Sequence, residues 1–137
     1  MKIPDSHPRF LPADKDASPP DSTVKKGPYT LRGRIWIEGD DGTFLGYGRV
    51  ELLERIERFG SISQAARSMN MSYRHAWELV DSINRQAESP LVETSVGGRK
   101  GGGARLTERG RKAVEGFRAL YETFREFLRT EAEGLDL

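Results

Sequence analysis

The segment of residues 60–73 constrains the fold most, because it has the pattern of two short helices joined by a tight turn. Gly60 suits the left-handed cap that ends a helix, and Ser61 can cap the helix that begins after it. Asn70 tolerates the positive φ of a tight turn, and Ser72 can cap a second helix from there. This order of capping and turn residues predicts a helix-turn-helix.

A glycine-rich stretch at residues 97–103 follows the two predicted helices and carries Arg99 and Lys100. The flanking segments Leu91–Val96 and Ala104–Leu106 read as short strands, so the stretch is the tip of a β-hairpin, here called the wing. A nucleotide-binding loop is disfavoured, because Lys100 precedes a glycine and a strand rather than Ser or Thr and a helix. The helix-turn-helix and the wing together predict a winged DNA-binding domain.

Hydrophobic periodicity predicts the remaining elements of a mainly α fold with small β-hairpins. Leu31–Glu38 alternates apolar and polar residues as a strand does, and Phe44–Tyr47 begins its returning partner. Gly48–Phe59 has the spacing of an amphipathic helix, and another helix is expected from Tyr73 to about residue 87. A long last helix is predicted over about residues 107–130. The predicted fold class is therefore a winged helix-turn-helix followed by a long C-terminal dimerisation helix.

The chain of 137 residues suits one domain with a modest core, preceded by a leader. Six of the seven prolines lie in residues 1–28, and a segment with so few apolar groups cannot offset its ordering entropy. We therefore expect residues 1–28 to be disordered and residues 29–137 to form the DNA-binding domain with its dimerisation helix. The sequence has no cysteine, no apolar signal-peptide core and no apolar run of about 18 residues, which predicts a cytoplasmic protein.

The formal net charge of +1 hides an uneven distribution of charge along the chain. Between residues 94 and 111 the acid is Glu108 alone, whereas the segment after residue 115 is mainly acidic. A local basic patch attracts DNA phosphates whatever the total charge is. The basic residues of the first segment are Arg99, Lys100, Arg105, Arg109 and Arg111.

The first turns of the second helix are the expected base-reading part, because such a helix presents donors to base edges in the major groove. Arg74 suits guanine, and Glu78 can accept from cytosine or orient Arg74; the alternative is that these two form only a surface ion pair. Trp77 lies beside the core-facing stripe and is expected to pack against the first helix rather than a base. Ser72 and Tyr73 can bond to either a phosphate or a base. The candidate DNA-binding residues, of which the first three and the last two suit phosphates, are Ser61, Ser63, Gln64, Ser72, Tyr73, Arg74, His75, Glu78, Arg99 and Lys100.

The last predicted helix carries more apolar residues than one packed face needs. Ala113 and Val114 start two overlapping series, of which one part can pack on the first helix while the remainder is exposed in a monomer as an aromatic patch. An exposed aromatic patch of this kind predicts a symmetric dimer whose two base-reading helices reach successive major grooves. The candidate dimer contacts are Phe117, Leu120, Tyr121, Phe124, Phe127 and Leu128.

Several of these motifs closely resemble the N-terminal domain of ModE-type molybdate-responsive transcriptional regulators, over about residues 30–130. The resembling segments are Gly60–Ala66, Met71–Arg74, Ala76–Val80, Pro90–Glu93 and Gly97–Thr107. The resemblance implies a LysR-like winged helix-turn-helix that dimerises through long helices and regulates transcription on double-stranded DNA. It also implies that the DNA-contacting positions are Ser61–Gln64, Ser72–His75 and Arg99–Lys100.

Full-length members of that family append a molybdate-binding region, whereas this sequence stops at Leu137, soon after the last helix. We therefore expect a regulator without its own molybdate-binding domain, without a cofactor, and without a tight molybdate or tungstate site. His7 and His75 are the two histidines and no Gly-x-Ser-x-Gly elbow occurs, so no metal site and no enzyme are predicted. Two alternatives stay open, namely a winged-helix protein-interaction module and a sensor that binds a small oxyanion at the dimer interface. The operator, the sign of regulation and a separate effector-sensing partner stay open as well.

Overall fold

The computed structural model describes residues 22–96 and 102–137 as a mainly helical domain with three small hairpins. The elements in chain order are β1 (Thr23–Lys26), β2 (Tyr29–Arg32), β3 (Ile37–Gly39), β4 (Gly42–Leu45), α1 (Tyr47–Phe59), α2 (Ile62–Ser68), α3 (Tyr73–Gln86), β5 (Val92–Ser95), β6 (Gly103–Leu106) and α4 (Glu108–Glu133). Each hairpin is antiparallel and joins two consecutive strands: β1 with β2, β3 with β4, and β5 with β6. The predicted class, a mainly α fold with small β-hairpins and a long C-terminal helix, is confirmed.

Helix α1 forms the centre of the core, because four of its side chains are fully shielded from solvent. These four are Val50, Leu52, Leu53 and Ile56. Burial of each such side chain stabilises the fold by about 1.5–3 kcal/mol. Ala65 and Ala66 allow α2 to pack closely on α1, while Ile83 of α3 and Phe117 of α4 complete the core from the other helices.

The predicted caps and the predicted turn are present around the helix-turn-helix. Gly60 has a left-handed φ of 71°, and its N–H donates to the last turn of α1. Ser61 and Ser72 each accept the backbone N–H three residues ahead, at 3.1 and 3.0 Å. Asn70 has a φ of 56°, as the tight turn between α2 and α3 requires. These local interactions fix where α3 begins and therefore which residues lie in its first turn.

The base of the wing is fastened to the helices by side-chain and backbone hydrogen bonds. Asn84 of α3 accepts the N–H groups of Leu91 and Val92 at 2.9 and 3.2 Å, and donates to the Val92 carbonyl at 2.9 Å. On the other strand, the Ala104 N–H donates to the Gly60 carbonyl at 3.0 Å. The base of the wing is therefore fixed beside α3.

The prediction of one continuous strand over Leu31–Glu38 is wrong. Strand β2 ends at Arg32 and β3 begins at Ile37, so the chain leaves one hairpin before it enters the next. The break coincides with a close approach to α4, since a Cβ added to Gly33 would lie 2.7 Å from the Cζ atom of Phe124. Alternation along the sequence cannot reveal this contact, because it depends on a residue some ninety positions away.

Residues 1–28 were predicted to be a disordered leader. Only residues 22–28 of that segment belong to the described part of the chain, and residues 1–21 lie outside it. Residues Thr23–Lys26 form strand β1, so the prediction of disorder is wrong there. Gly27, with a φ of 61°, makes a two-residue turn to β2 possible, and β1 packs against α4. Pairing and packing thus supply the stabilisation that the composition of this segment does not suggest.

Candidate nucleic-acid interface

Helix α3 buries one face and exposes the other. Ala76, Val80 and Ile83 point into the core, as their spacing predicts. At the N-terminal end, Tyr73 is 55% exposed and the Arg74 side chain is 87% exposed. The turns predicted to read bases are therefore accessible to a partner.

Arg74 and Glu78 form the ion pair that was the alternative to a DNA contact. The Arg74 Nε atom lies 3.2 Å from the Glu78 Oε2 atom, and both side chains remain largely exposed. An exposed pair of this spacing contributes only about 0.3–0.5 kcal/mol. The pair therefore orients Arg74 in the free protein without fixing it there.

The remaining predicted contacts of the helix-turn-helix lie at the starts of α2 and α3. Ser63, Gln64 and His75 are exposed. The hydroxyl oxygens of Ser61 and Ser72 accept helix N–H groups as caps. Because an accepting hydroxyl still has its own hydrogen, both serines can donate to a phosphate oxygen while they cap.

Arg99 and Lys100, the predicted charges of the wing tip, lie outside the described residues. The other basic residues near the wing are paired with acids, most of which come from distant parts of the sequence. The pairs are Arg105–Glu93 at 2.8 Å, Arg109–Glu88 at 3.5 Å, Arg111–Glu57 at 3.3 Å and Arg111–Glu108 at 3.4 Å. The basic patch counted along the sequence is therefore largely neutralised at these three arginines.

Arg67 of α2 is a basic residue that sequence reasoning missed. It is exposed, and within residues 22–96 and 102–137 it has no ion-pair partner. It follows Ser63 and Gln64 by four and three residues, so all three lie on one side of α2. That spacing is the signal that could have added Arg67 to the candidate phosphate contacts.

Trp77 does not lie where the sequence suggested. Expected to pack against the first helix, it is instead 47% exposed. It lies about 100° around the α3 axis from buried Ala76, and Tyr73 lies on the same side, one turn earlier. The spacing of four residues between Tyr73 and Trp77 is the signal that could have placed both rings on one exposed side.

The candidate dimer contacts on α4 differ in exposure and fall into three groups. Phe117, Tyr121 and Leu128 are buried in the chain's own core, so the structure does not give them the exposed position that the dimer prediction required. Their burial follows from a second face of α4 that packs on α1 and β1. Leu120 and Phe127 are 46% and 57% exposed. Phe124 is half-buried against Gly33.

A polar contact fastens α4 to α1 beside this aromatic cluster. Arg118 forms a two-atom ion pair with Glu54, and its guanidinium lies 5.0 Å from the centre of the Tyr47 ring. Hydrogen bonds with Glu54 raise the pKa of Arg118 above its ordinary value. The Tyr47 ring in turn lies 5.5 Å from the Tyr121 ring. These contacts set the angle of α4 and hence the direction of its exposed face.

Two other kinds of feature are absent from the described part of the chain. Residues 22–96 and 102–137 contain no group of three or more His, Cys, Asp or Glu side chains arranged to hold a metal ion. None of the helices in these ranges is long and apolar enough to cross a membrane.

Comparison with known proteins connects this surface to a family. Residues 48–111 match the family model described as bacterial regulatory helix-turn-helix protein, lysR family. The chain is 43% identical over 103 residues to the molybdenum transport protein ModE of Azotobacter vinelandii, which covers 75% of this chain and 38% of that protein. It is 48% identical over 73 residues to the molybdenum-pterin-binding protein MopA of Rhodobacter capsulatus, covering 53% of this chain and 28% of that protein. Over 67 residues it is 42% identical to the DNA-binding transcriptional dual regulator ModE of Escherichia coli K12, covering 49% and 26%.

The match to the family model includes the helix-turn-helix, the wing and the first residues of α4. The alignments with these three relatives span between 26% and 38% of the relatives' own length. Residues 48–111 are therefore a helix-turn-helix domain of the bacterial lysR regulatory family, in a chain similar to the ModE transcriptional regulators.

Proposed function

We propose that this chain is a sequence-specific DNA-binding regulator of transcription, with α3 lying in the major groove. The observation that carries the proposal is the exposed first turn of α3, where Tyr73 and Arg74 project from a helix-turn-helix of a regulatory family. The name of the Escherichia coli relative, a DNA-binding transcriptional dual regulator, agrees with it. A protein of this kind acts at the chromosome, so we infer that it works in the cytoplasm.

Arg74 is the residue expected to read a base. On binding, it would leave its ion pair with Glu78 and form hydrogen bonds with the base instead. A bidentate contact between arginine and the O6 and N7 atoms of guanine contributes about 1–3 kcal/mol of discrimination. The exposed pair with Glu78 contributes about 0.3–0.5 kcal/mol, so the exchange favours DNA. Glu78, once released, can accept a hydrogen bond from the N4 amino group of cytosine.

Contacts with the DNA backbone are expected from α2 and from the wing tip. Ser63, Gln64 and Arg67 share one exposed side of α2, which in this fold crosses the DNA backbone. Arg99 and Lys100 remain proposals for the wing, with no support beyond their sequence. Each phosphate that a cation neutralises releases counterions, so affinity falls steeply as salt concentration rises.

The chain is proposed to act as a homodimer paired through the exposed side of α4. Leu120 and Phe127 lie two turns apart on that side, and both are exposed in the single chain. Covering them removes apolar surface from water at about 25 cal/mol per Å². A two-fold arrangement of this kind presents two copies of α3 to a palindromic site.

The effector is a separate question from DNA binding. The names of two relatives connect those proteins with molybdenum, so molybdate is the first effector to test. A separate effector-sensing protein is the other partner that this proposal includes. The effect of molybdate or of such a protein is measured as a change in the affinity of the chain for its selected DNA site.

The test of the proposal is selection of duplexes from a random library with the purified chain, followed by fluorescence anisotropy on the selected site. Arg74→Ala is expected to weaken binding by about 1–3 kcal/mol and to relax the preference at one base pair. The reason is that alanine cannot make the bidentate contact, so guanine loses its advantage over the other bases at that position. The variant is compared with the native chain at one fixed salt concentration.

Arg85→Ala is the matched control for this measurement. Arg85 is also an exposed arginine of α3, but it lies at the far end and pairs with Asp81 and Asp41. Its loss removes the same charge and is expected to leave the base preference unchanged. If the two variants behave alike, or if Arg74→Ala keeps the native preference, then α3 does not read bases through Arg74.

A further inference from the structure

The exposed side of α3 carries an aromatic residue, Trp77, that the proposed contacts do not use. Trp77 is 47% exposed and Tyr73, one turn before it, is 55% exposed. Both rings follow Ser72, the cap residue, on the same helix as the base-reading candidate Arg74. Two neighbouring rings that stay about half in water form an exposed apolar patch rimmed by polar groups, and such a patch is typical of an interaction site.

The charges beside the two rings balance one another. Arg74 pairs with Glu78, and Arg85 pairs with Asp81 and Asp41. The middle of the exposed side therefore has little net charge to attract phosphates. It suits an apolar group that lies among hydrogen-bonding groups.

The major groove of DNA offers one apolar group to such a surface, the C5-methyl of thymine. Building on the proposed function, we propose that Trp77 determines sequence specificity by packing on a thymine methyl next to the base pair that Arg74 reads. Trp77 follows Arg74 by three residues and is therefore its neighbour on the helix surface, so hydrogen bonding and methyl contact fall in the same stretch of groove. Tyr73 covers the side of the methyl nearer the start of α3.

The length of the helix limits where that thymine lies. Three residues, from Arg74 to Trp77, rise about 4.5 Å along the helix axis. One base pair rises about 3.4 Å along the duplex. The thymine is therefore within two base pairs of the guanine that Arg74 contacts.

The test uses the full chain and its selected duplex, with each thymine replaced in turn by deoxyuridine. This replacement removes the methyl group and nothing else. We expect one thymine within two pairs of the Arg74-sensitive position at which the replacement weakens binding by about fourfold, the effect of exposing one methyl group. In Trp77→Ala, affinity for the thymine duplex falls and the difference between thymine and deoxyuridine disappears.

Two further variants keep the test decisive. Arg85→Ala, on the same helix, is expected to keep the full difference between thymine and deoxyuridine. Trp77→Gln removes the ring but keeps a long side chain, and it replaces Trp77→Ala in the comparison if thermal melting shows that the alanine variant unfolds early. The difference disappears in the glutamine variant as well.

The outcomes separate this proposal from the one on which it rests. Sequence-specific binding without any thymine–deoxyuridine difference, or with a difference that persists in both Trp77 variants, overturns the methyl contact and leaves the regulator function standing. Unchanged DNA affinity of the Trp77 variants together with an altered oligomeric state assigns the surface to protein contacts and also overturns it. Absence of binding to any selected duplex overturns both.

Discussion

At the scale of single residues, the helix-turn-helix depends on two backbone conformations that most side chains avoid. Gly60 has a φ of 71° and Asn70 a φ of 56°. Glycine adopts this region freely, and asparagine does so more easily than most other residues. With the caps at Ser61 and Ser72, they set the direction in which α3 leaves α2. The position of Arg74 in the groove therefore depends on residues that touch no DNA.

Gly60→Ala is expected to destabilise the domain by about 1 kcal/mol. The left-handed conformation costs an alanine about 1–2 kcal/mol, and the gain from a stiffer unfolded chain offsets only part of that. A Cβ at Gly60 meets no atom within 4 Å, so backbone strain is the sole cause. Gly116→Ala is the control: it lies in α4 with equally open space and should stabilise by about 0.5–1 kcal/mol. Urea unfolding that moves both variants in the same direction would contradict this account.

At the scale of elements, Asn84 joins α3 to the wing. Its amide makes hydrogen bonds with the backbone of Leu91 and Val92 on β5. These bonds hold the wing base beside the helix that is proposed to enter the groove. Movement of α3 and movement of the wing base are therefore expected to be coupled.

Asn84→Ala is expected to destabilise the domain by about 1–3 kcal/mol, because it leaves partly buried backbone groups without partners. Asn84→Asp keeps the acceptor for the two N–H groups and should cost less. Amide hydrogen exchange by NMR should show faster exchange at Leu91 and Val92 in Asn84→Ala. Unchanged protection of those two amides would mean that Asn84 does not hold the wing base.

Some features of the helices and strands could be predicted from the sequence, and others could not. The caps at Ser61 and Ser72 and the turn at Asn70 were predictable because each depends on residues within one turn of itself. The break near Gly33 was not, because it coincides with a contact to α4, which lies at the far end of the chain. Trp77 was expected to pack against the first helix because it lies beside the buried stripe, but its side chain is 47% exposed.

At the scale of the whole molecule, charge and apolar surface are distributed differently from their order along the chain. Arginines near the wing meet acids from α1, from the loop after α3 and from β5, so a count of charges within a window of sequence overstated the basic patch. The aromatic residues of α4 divide between the core and one exposed side. A periodic pattern could predict that α4 has two faces, but not which residues the rest of the chain would cover.

The exposed side of α4 gives a prediction about assembly. Leu120→Glu and Phe127→Glu are expected to convert a dimer into monomers and to weaken DNA binding, while the domain stays folded because both side chains are already exposed. Ala119→Glu adds the same charge at another exposed position of α4 and should leave the dimer intact. Sedimentation velocity at several concentrations measures the change. A native chain that sediments as a monomer at tens of micromolar contradicts the dimer.

The most direct test of the central claim is the affinity of the native chain for its selected duplex and for a shuffled duplex, each measured over a range of salt concentrations. We expect the selected duplex to bind about a thousandfold more tightly, as specific sites typically do. Both affinities should fall as salt rises, with a slope that reflects the number of neutralised phosphates. Equal affinity for the two duplexes at every salt concentration, or affinity for neither, would contradict the proposal that this chain is a sequence-specific DNA-binding regulator.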